Sequence, residues 1–185
     1  MGAITVDGPG KIDSEMTATP SQPAGPLDAR WLSEPEQRAW RAYLRASRLL
    51  EVALDRALSA HGTQLSEYEV ISMLSEADDG RLRMSALADL VVQSRSRITH
   101  TAARLEKRGW VRREACLDDR RGVELVLTAE GRAAVEEIAS THVESVRTAM
   151  LDHLEPQEFL ALGHAMQKVR DALAEEGEAT DAIRG

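Results

Sequence analysis

The sequence has one cysteine, Cys116, and a lone thiol forms neither an intrachain disulfide nor a multi-cysteine metal site. A reducing, cytoplasmic setting is the expectation. Aromatic residues make up only 3% of the chain, so the core has to be built from Leu, Val and Ala. No run approaches the roughly 18 consecutive apolar residues of a membrane span, and no apolar stretch behind a basic start marks a signal peptide. Positive charge is also in short supply. With 23 Lys/Arg, 31 Asp/Glu and a net charge of −8, the chain does not coat nucleic acid along its whole surface. The histidines, His61, His100, His142, His153 and His164, show no i, i+4 pair, and no nucleophile stands in a familiar catalytic motif. No metal, cofactor or enzymatic activity is expected.

What positive charge there is lies in one place. From Arg81 to Arg121 there are 11 Lys/Arg and 5 Asp/Glu, so an acidic body carries one basic face. That suits selective binding of double-stranded DNA, because phosphate contacts form only in the docked orientation.

In SRSRITHTAARLEKRGW, Ile98, Ala102 and Leu105 recur at i, i+4 and i+7 as the apolar stripe of a helix. Ser96, His100, Ala103 and Lys107 fall opposite, flanked by Arg97 and Arg104. Gly109 can take the left-handed conformation that ends such a helix near Arg108, with Trp110 as the hydrophobic contact beyond it. Val111 to Cys116 and Val123 to Leu127 favour β-branched and alternating residues around the polar turn LDDRRG, a hairpin with two arginines at its tip. A basic helix followed by an Arg-tipped hairpin reads as a winged helix-turn-helix. The helix enters the major groove and the wing reaches the neighbouring minor groove.

Residues 1–30 are rich in Pro, Gly, Ser, Thr and Ala and read as a disordered arm. GPGK at Gly8 to Lys11 lacks the spacer and the Ser/Thr of a phosphate loop. Ser33 with Glu36 forms a capping box, and Trp40, Tyr43, Leu44, Leu50, Leu54 and Leu58 keep helical spacing up to Gly62. A helix on the order of 40 Å long at 1.5 Å per residue cannot bury its whole length against a small domain, so part of it should meet another subunit. Ser66 with Glu69 predicts a second capping box, and that helix should end in the turn Ala77 to Gly80. Ser85 to Val91 predicts a short helix that pairs with the one after Ser94. Thr128 should cap a helix of more than six turns through Leu154, and Pro156 should open a last one that frays from Glu175.

The expected fold class is therefore mainly α with a small β-wing, a winged helix-turn-helix with long N- and C-terminal dimerisation helices. Residues 31–62 form the first dimerisation helix, 63–128 the DNA-binding domain, 129–174 the C-terminal dimerisation helices and 175–185 a flexible tail. Base reading falls to Ser96, Arg97 and His100. Ser94, Arg95, Thr99, Arg104, Lys107 and Arg120 are candidates for phosphate or flanking contacts. Arg121 is the first choice for the minor groove, since a neighbouring carboxylate such as Asp119 can hold a guanidinium in place as it enters. The plain alternatives are a solvated helix flank and a charged hairpin tip that aids solubility. Cys116 is either a redox sensor, with Arg112 and Arg113 nearby, or an inert thiol. Trp40 and Tyr43 serve either core and dimer packing or a ligand pocket.

LADLVVQSRSRITHTAARLEKRGWVRRE and DDRRGVELVLTAEGR resemble the helix-turn-helix and wing of the multiple-antibiotic-resistance regulator (MarR) family of bacterial transcription factors. The likeness runs from about Trp31 to Leu173. It implies an obligate two-fold homodimer with the first and last two helices interlocked and a winged domain on each arm. It also implies that Asp119 and Arg121 are a D-x-R wing pair, and it sets His100 where relatives often carry a base-reading arginine, a departure from the common pattern. Many relatives hold a small, often aromatic or anionic, effector between the dimer helices and the winged domain. The function expected is a sequence-specific regulator, a repressor, on a pseudo-palindromic operator. The competing reading is a winged-helix protein-interaction module that no longer binds DNA.

Overall fold

The structure, a computed structural model, describes residues 29–116 and 122–184. It divides into two units, Met1–Ala39 and Trp40–Gly185. In the first, the backbone N–H and hydroxyl of Ser33 both donate to Glu36 Oε2 at 2.7 Å, the expected start of α1 (Glu34–Ser59). The Ser33 hydroxyl above all holds the Glu36 carboxyl below its usual range.

The second unit continues α1 and adds α2 (Leu65–Glu76), β1 (Arg81–Arg83), α3 (Met84–Leu90), α4 (Arg95–Lys107), β2 (Val111–Ala115), β3 (Val123–Leu127), α5 (Ala129–Ala149) and α6 (Pro156–Arg184). The strands form an antiparallel sheet in the order β1-β3-β2. Arg81, Leu82 and Arg83 make an edge strand that the hairpin reading omitted, because three residues are too few to show a period. In the register of β2 on β3, Glu114 lies directly opposite Glu124. Two like charges there would repel, but Arg81 reaches across all three strands to Glu114 at 3.1 Å and Glu124 at 3.2 Å. A further hydrogen bond from Arg112 is the main reason the Glu114 carboxyl titrates below its usual range.

One core joins Leu58 of α1, Val70, Ile71 and Leu74 of α2, Leu87 of α3, Ile98, Ala102 and Leu105 of α4, the sheet, and Ala134 and Ile138 of α5. The first half of α5 thus belongs to the core of the winged domain, although the whole helix was expected to serve dimerisation. Gly131 explains how it gets so close. A Cβ there would stand 2.0 Å from the Trp110 carbonyl oxygen, so only glycine lets α5 leave the sheet at that angle.

Three local expectations are corrected. The cap of α2 is Gln64 with Glu67, not Ser66 with Glu69: the Gln64 N–H donates to Glu67 Oε2 at 3.1 Å, and the Leu65 N–H donates to Asp55 Oδ1 at 2.9 Å. The first donors are satisfied before Ser66 is reached. α5 stops at Ala149 and passes through a 3-10 turn, Leu151–His153, because the chain must re-aim before Pro156, whose ring fits only the first turn of a new helix. α6 keeps helical backbone past Glu175 to Arg184, a stretch without proline. No helix among the described residues is long and apolar enough to cross a membrane.

Candidate nucleic-acid interface

The start of α4 is fixed by Ser94, whose Oγ accepts the Arg97 N–H at 3.2 Å. Its end is fixed by Gly109 at φ 75°: the Gly109 N–H donates to Glu106 at 2.9 Å and the Trp110 N–H to Leu105 at 3.1 Å, the hydrogen bonds of a glycine-terminated helix. Ile98, Ala102 and Leu105 are buried as the spacing predicts, and Thr101 joins them. Ser94, Arg95, Ser96, Arg97, Thr99, His100, Arg104 and Lys107 are all exposed. The candidate base readers Ser96, Arg97 and His100 therefore share a helix whose opposite stripe is anchored in the core.

The turn between α3 and α4 closes in the same way as the end of α4, with Val92 N–H to Asp89 at 3.2 Å and Gln93 N–H to Ala88 at 2.9 Å. Here the left-handed position is filled by Val92, at φ 50°. A β-branched residue in that conformation costs about 1–2 kcal/mol, and with 88% of its surface exposed Val92 recovers little by packing.

Arg97 lines a cleft of about 600 Å³ between α1, α2 and this turn, together with Glu51, Asp55 and Glu69. Burial, then Glu51, raises the Glu69 carboxyl above its usual range, and Arg97 partly offsets the shift. Arg95 and Thr99 border a second cleft with Arg83, Ser85, Gly122 and Val123 at the base of the wing. Two guanidinium groups and a serine there can take a phosphate oxygen. Arg83 was not among the expected contacts, and only the basic balance of the region pointed to it, while Ser85 was expected only as the start of a short helix.

Arg113 and Arg104 are both engaged by partners within the chain. Arg113 ties the wing to the recognition helix, its Nη2 donating to the Thr99 carbonyl at 3.1 Å and its backbone N–H to Glu106 Oε1 at 3.2 Å. Arg104, expected at a DNA flank, donates from Nε to Glu67 Oε1 at 2.7 Å and from Nη2 to Gln64 Oε1 at 3.0 Å. Asp119, Arg120 and Arg121 lie outside the described residues. Cys116 is buried, which removes the access an oxidation sensor needs. Trp40 and Tyr43 stack with ring centroids 5.8 Å apart and line neither of the two clefts. No group of three His, Cys, Asp or Glu among the described residues could hold a metal ion.

A helix-turn-helix against a three-stranded sheet with a two-strand hairpin defines a winged helix-turn-helix protein. The MarR family model matches residues 64–123, from the cap of α2 into β3. The chain is 39% identical to AbsC, a MarR family transcriptional regulator from Streptomyces coelicolor, with a TM-score of 0.75 over 80% of this chain and 99% of that one. It is 42% identical to Sco3205 of the same organism, a MarR family transcriptional regulator solved in complex with DNA, with a TM-score of 0.75 over 80% of this chain and 93% of that one. The HTH-type transcriptional regulator PecS of Dickeya dadantii (strain 3937) is 31% identical over 104 residues, 56% of this chain and 63% of PecS. The matched part spans 52–63% of the length of the curated relatives. The chain belongs to the MarR family, and these relatives are regulators of transcription rather than enzymes.

Proposed function

We propose that this chain is a transcriptional regulator that binds a pseudo-palindromic operator as a homodimer and represses from it. The observation that carries the reading is the exposed face of α4, where Arg95, Ser96, Arg97, His100 and Lys107 stand together on a chain whose net charge is −8. Ser96, Arg97 and His100 read base edges in the major groove. Ser94, Arg95, Thr99 and Lys107, with Arg83 and Arg120, hold phosphates, and Arg121 beside Asp119 enters the minor groove. The DNA complex of Sco3205, at 42% identity, supports carrying duplex binding over to this chain.

Dimerisation is supported by apolar side chains that the chain leaves uncovered, Leu49 and Val52 on α1 and Leu160, Val169 and Leu173 on α6. Two-fold symmetry of the protein then requires it of the site, with half-site centres about one turn, or ~34 Å, apart. Release by a small effector is supported by the cleft that Arg97 helps to line, since an occupant would meet a side chain assigned to base reading.

The test is a fluorescence-anisotropy titration with duplex from the region upstream of the coding sequence, at two salt concentrations, beside sedimentation and transcription from the same promoter. Selective, salt-sensitive binding by a dimer that lowers transcript yield is expected. A chain that prefers no duplex would leave a protein-interaction module instead, and a stable monomer at micromolar concentration would remove the operator symmetry.

A further inference from the structure

We propose that Glu67 is a positioning residue for the recognition helix, and that Arg104 and Arg108 act on DNA selectivity through it rather than by touching DNA. The proposal rests on the reading that α4 enters the major groove. The Glu67 side chain is only 6% exposed, and a carboxylate so withdrawn from water is tolerable only when paired and hydrogen-bonded. It has three partners: Arg104 Nε at 2.7 Å, Arg108 Nη1 at 3.6 Å and the Gln64 N–H at 3.1 Å. Arg104 and Arg108 stand four residues apart on one side of α4, so two guanidinium groups of one helix converge on one carboxylate of another.

The second guanidinium extends the linkage. Arg108 Nη1 donates to the Gly62 carbonyl at 2.9 Å and to Thr63 Oγ1 at 3.1 Å, and its Cζ lies 3.5 Å from the centroid of the Trp110 ring. The connection it grips between α1 and α2 is itself held to α5 by His61, whose Nε2 is 2.9 Å from Thr141 Oγ1 and whose Nδ1 is 3.6 Å from Glu137 Oε1. The C-terminal half of α4 is thus tied through Glu67 and Arg108 to α2, to the α1–α2 connection and through it to α5, beside the separate tie of Glu106 to Arg113 on β2. Its base-reading first turns are held by the Ser94 cap, the core stripe and the hydrogen bond from Arg113 Nη2 to the Thr99 carbonyl at 3.1 Å. A rotation of α4 about its axis is opposed by the Glu67 node together with the core stripe and the Arg113 bonds, and a base-reading side chain that is misplaced loses its bond while phosphates remain within reach of flexible arginines and lysines.

The experiment compares wild type, Glu67→Gln, Arg104→Lys and Arg104→Ala, all full chain, on duplex from the region upstream of the coding sequence and on random duplex of equal length. Glutamine is accepted at this capping position, so Glu67→Gln removes the charge and leaves the start of α2 intact. Glu67→Gln and Arg104→Ala should lower the preference for the upstream duplex about ten-fold, the effect of one mismatched base pair. Their affinity for random duplex and their salt slope should be unchanged, and Arg104→Lys should recover part of the preference. If Arg104 touches phosphates, Arg104→Ala instead weakens both duplexes equally and makes the log-log salt slope shallower by about 0.9 for each phosphate no longer neutralised, which overturns the proposal. Hydrogen exchange of the last turn of α4 in free protein supplies a readout without DNA. A roughly ten-fold loss of protection is expected in Glu67→Gln, or in Arg104→Ala should the first variant fail to fold. Unchanged protection refutes the node even if wild type binds no duplex selectively, a result that would by itself refute only the DNA reading.

Discussion

The winged domain and the outer helices treat their apolar residues differently. Between Leu58 and Ile138 most large aliphatic side chains close on one another, and Leu58, Ile71, Leu74, Leu87, Ile98, Leu105, Leu125 and Ile138 are all fully buried, while Leu90, Val92 and Val123 stay exposed. α6 is longer than any helix of that core, yet Leu160, Met166, Val169 and Leu173 are exposed on it, as are Leu49 and Val52 on α1. The core therefore draws its stability from the chain alone. The apolar face of α6 gains nothing until another surface covers it, and in the proposed dimer its contribution depends on protein concentration.

Two glycines put that contrast to its strongest test. Gly131→Ala drives a methyl group to 2.0 Å from the Trp110 carbonyl and 2.8 Å from Leu127 Cδ1, and should cost about 3 kcal/mol or more, as severe overpacking against backbone does. Gly163→Ala on α6 meets nothing within 4 Å and should stabilise by about 0.8–1.0 kcal/mol through helix propensity. Urea midpoints of both variants check the pair. A destabilised Gly163→Ala would mean that a partner helix approaches α6 there.

Next in size is loss of the uncovered face itself. Leu160→Ser should remove about 2 kcal/mol of burial per protomer from the assembly, seen by sedimentation as a shift toward monomer, with little change in the protomer's circular dichroism. If Leu160→Ser unfolded the protomer at all concentrations, the two regions would share one core and the contrast would fail.

Within the winged domain the same logic separates base readers from phosphate holders. Arg97→Ala, and less so His100→Ala, should cost about 1–3 kcal/mol against the correct base at one position of each half-site and much less on random duplex. Arg83→Ala should weaken all duplexes alike. Affinities on single-base operator variants at fixed salt decide, and a uniform loss in Arg97→Ala would take base reading away from it.

The parts of this architecture that were legible in advance are those written as periods and punctuation. The stripe Ile98, Ala102, Leu105, the stop at Gly109 and the cap at Thr128 each declare themselves within a few residues. What escaped depends on residues far apart. Arg104 sits on a basic helix flank by sequence, and only the approach of Glu67, 37 positions away, gives it a partner within the chain. Glu69 has the spacing of a capping residue from Ser66, yet it lies over the helix-turn-helix within hydrogen-bond reach of Gln93, at 3.5 Å. Arg81 and Arg83 occupy a strand too short to show alternation, although one neutralises a facing pair of glutamates and the other borders the cleft beside Arg95. Charge identifies a basic region; which of its arginines remain free is decided by tertiary partners.

The smallest effect is expected where the two regions meet along α5. Ile138 is buried, His142 half-buried and Val143 exposed, so His142 marks the edge of the core. Its ring lies 4.6 Å from that of Tyr68, and Nδ1 is buried without a hydrogen-bond partner among the described residues. Burial disfavours the imidazolium and lowers the pKa from the ordinary 6.5. The unfolded chain then binds the proton more readily than the folded one. This contribution to stability is fully present above pH 6.5 and is lost as pH falls through the lower, folded value. Glu69, raised by burial, acts in the opposite sense, its contribution being present at low pH and lost as pH rises through its folded value. His142→Phe keeps a ring against Tyr68 and removes the titrating group. Thermal melts between pH 7.5 and 5.5, a window of about one unit on either side of a free histidine, should show Tm falling on acidification in wild type and falling less in His142→Phe. The other histidines and Glu69 are common to both proteins and drop out of the difference. Equal slopes would mean that water reaches Nδ1 and that the core ends before His142.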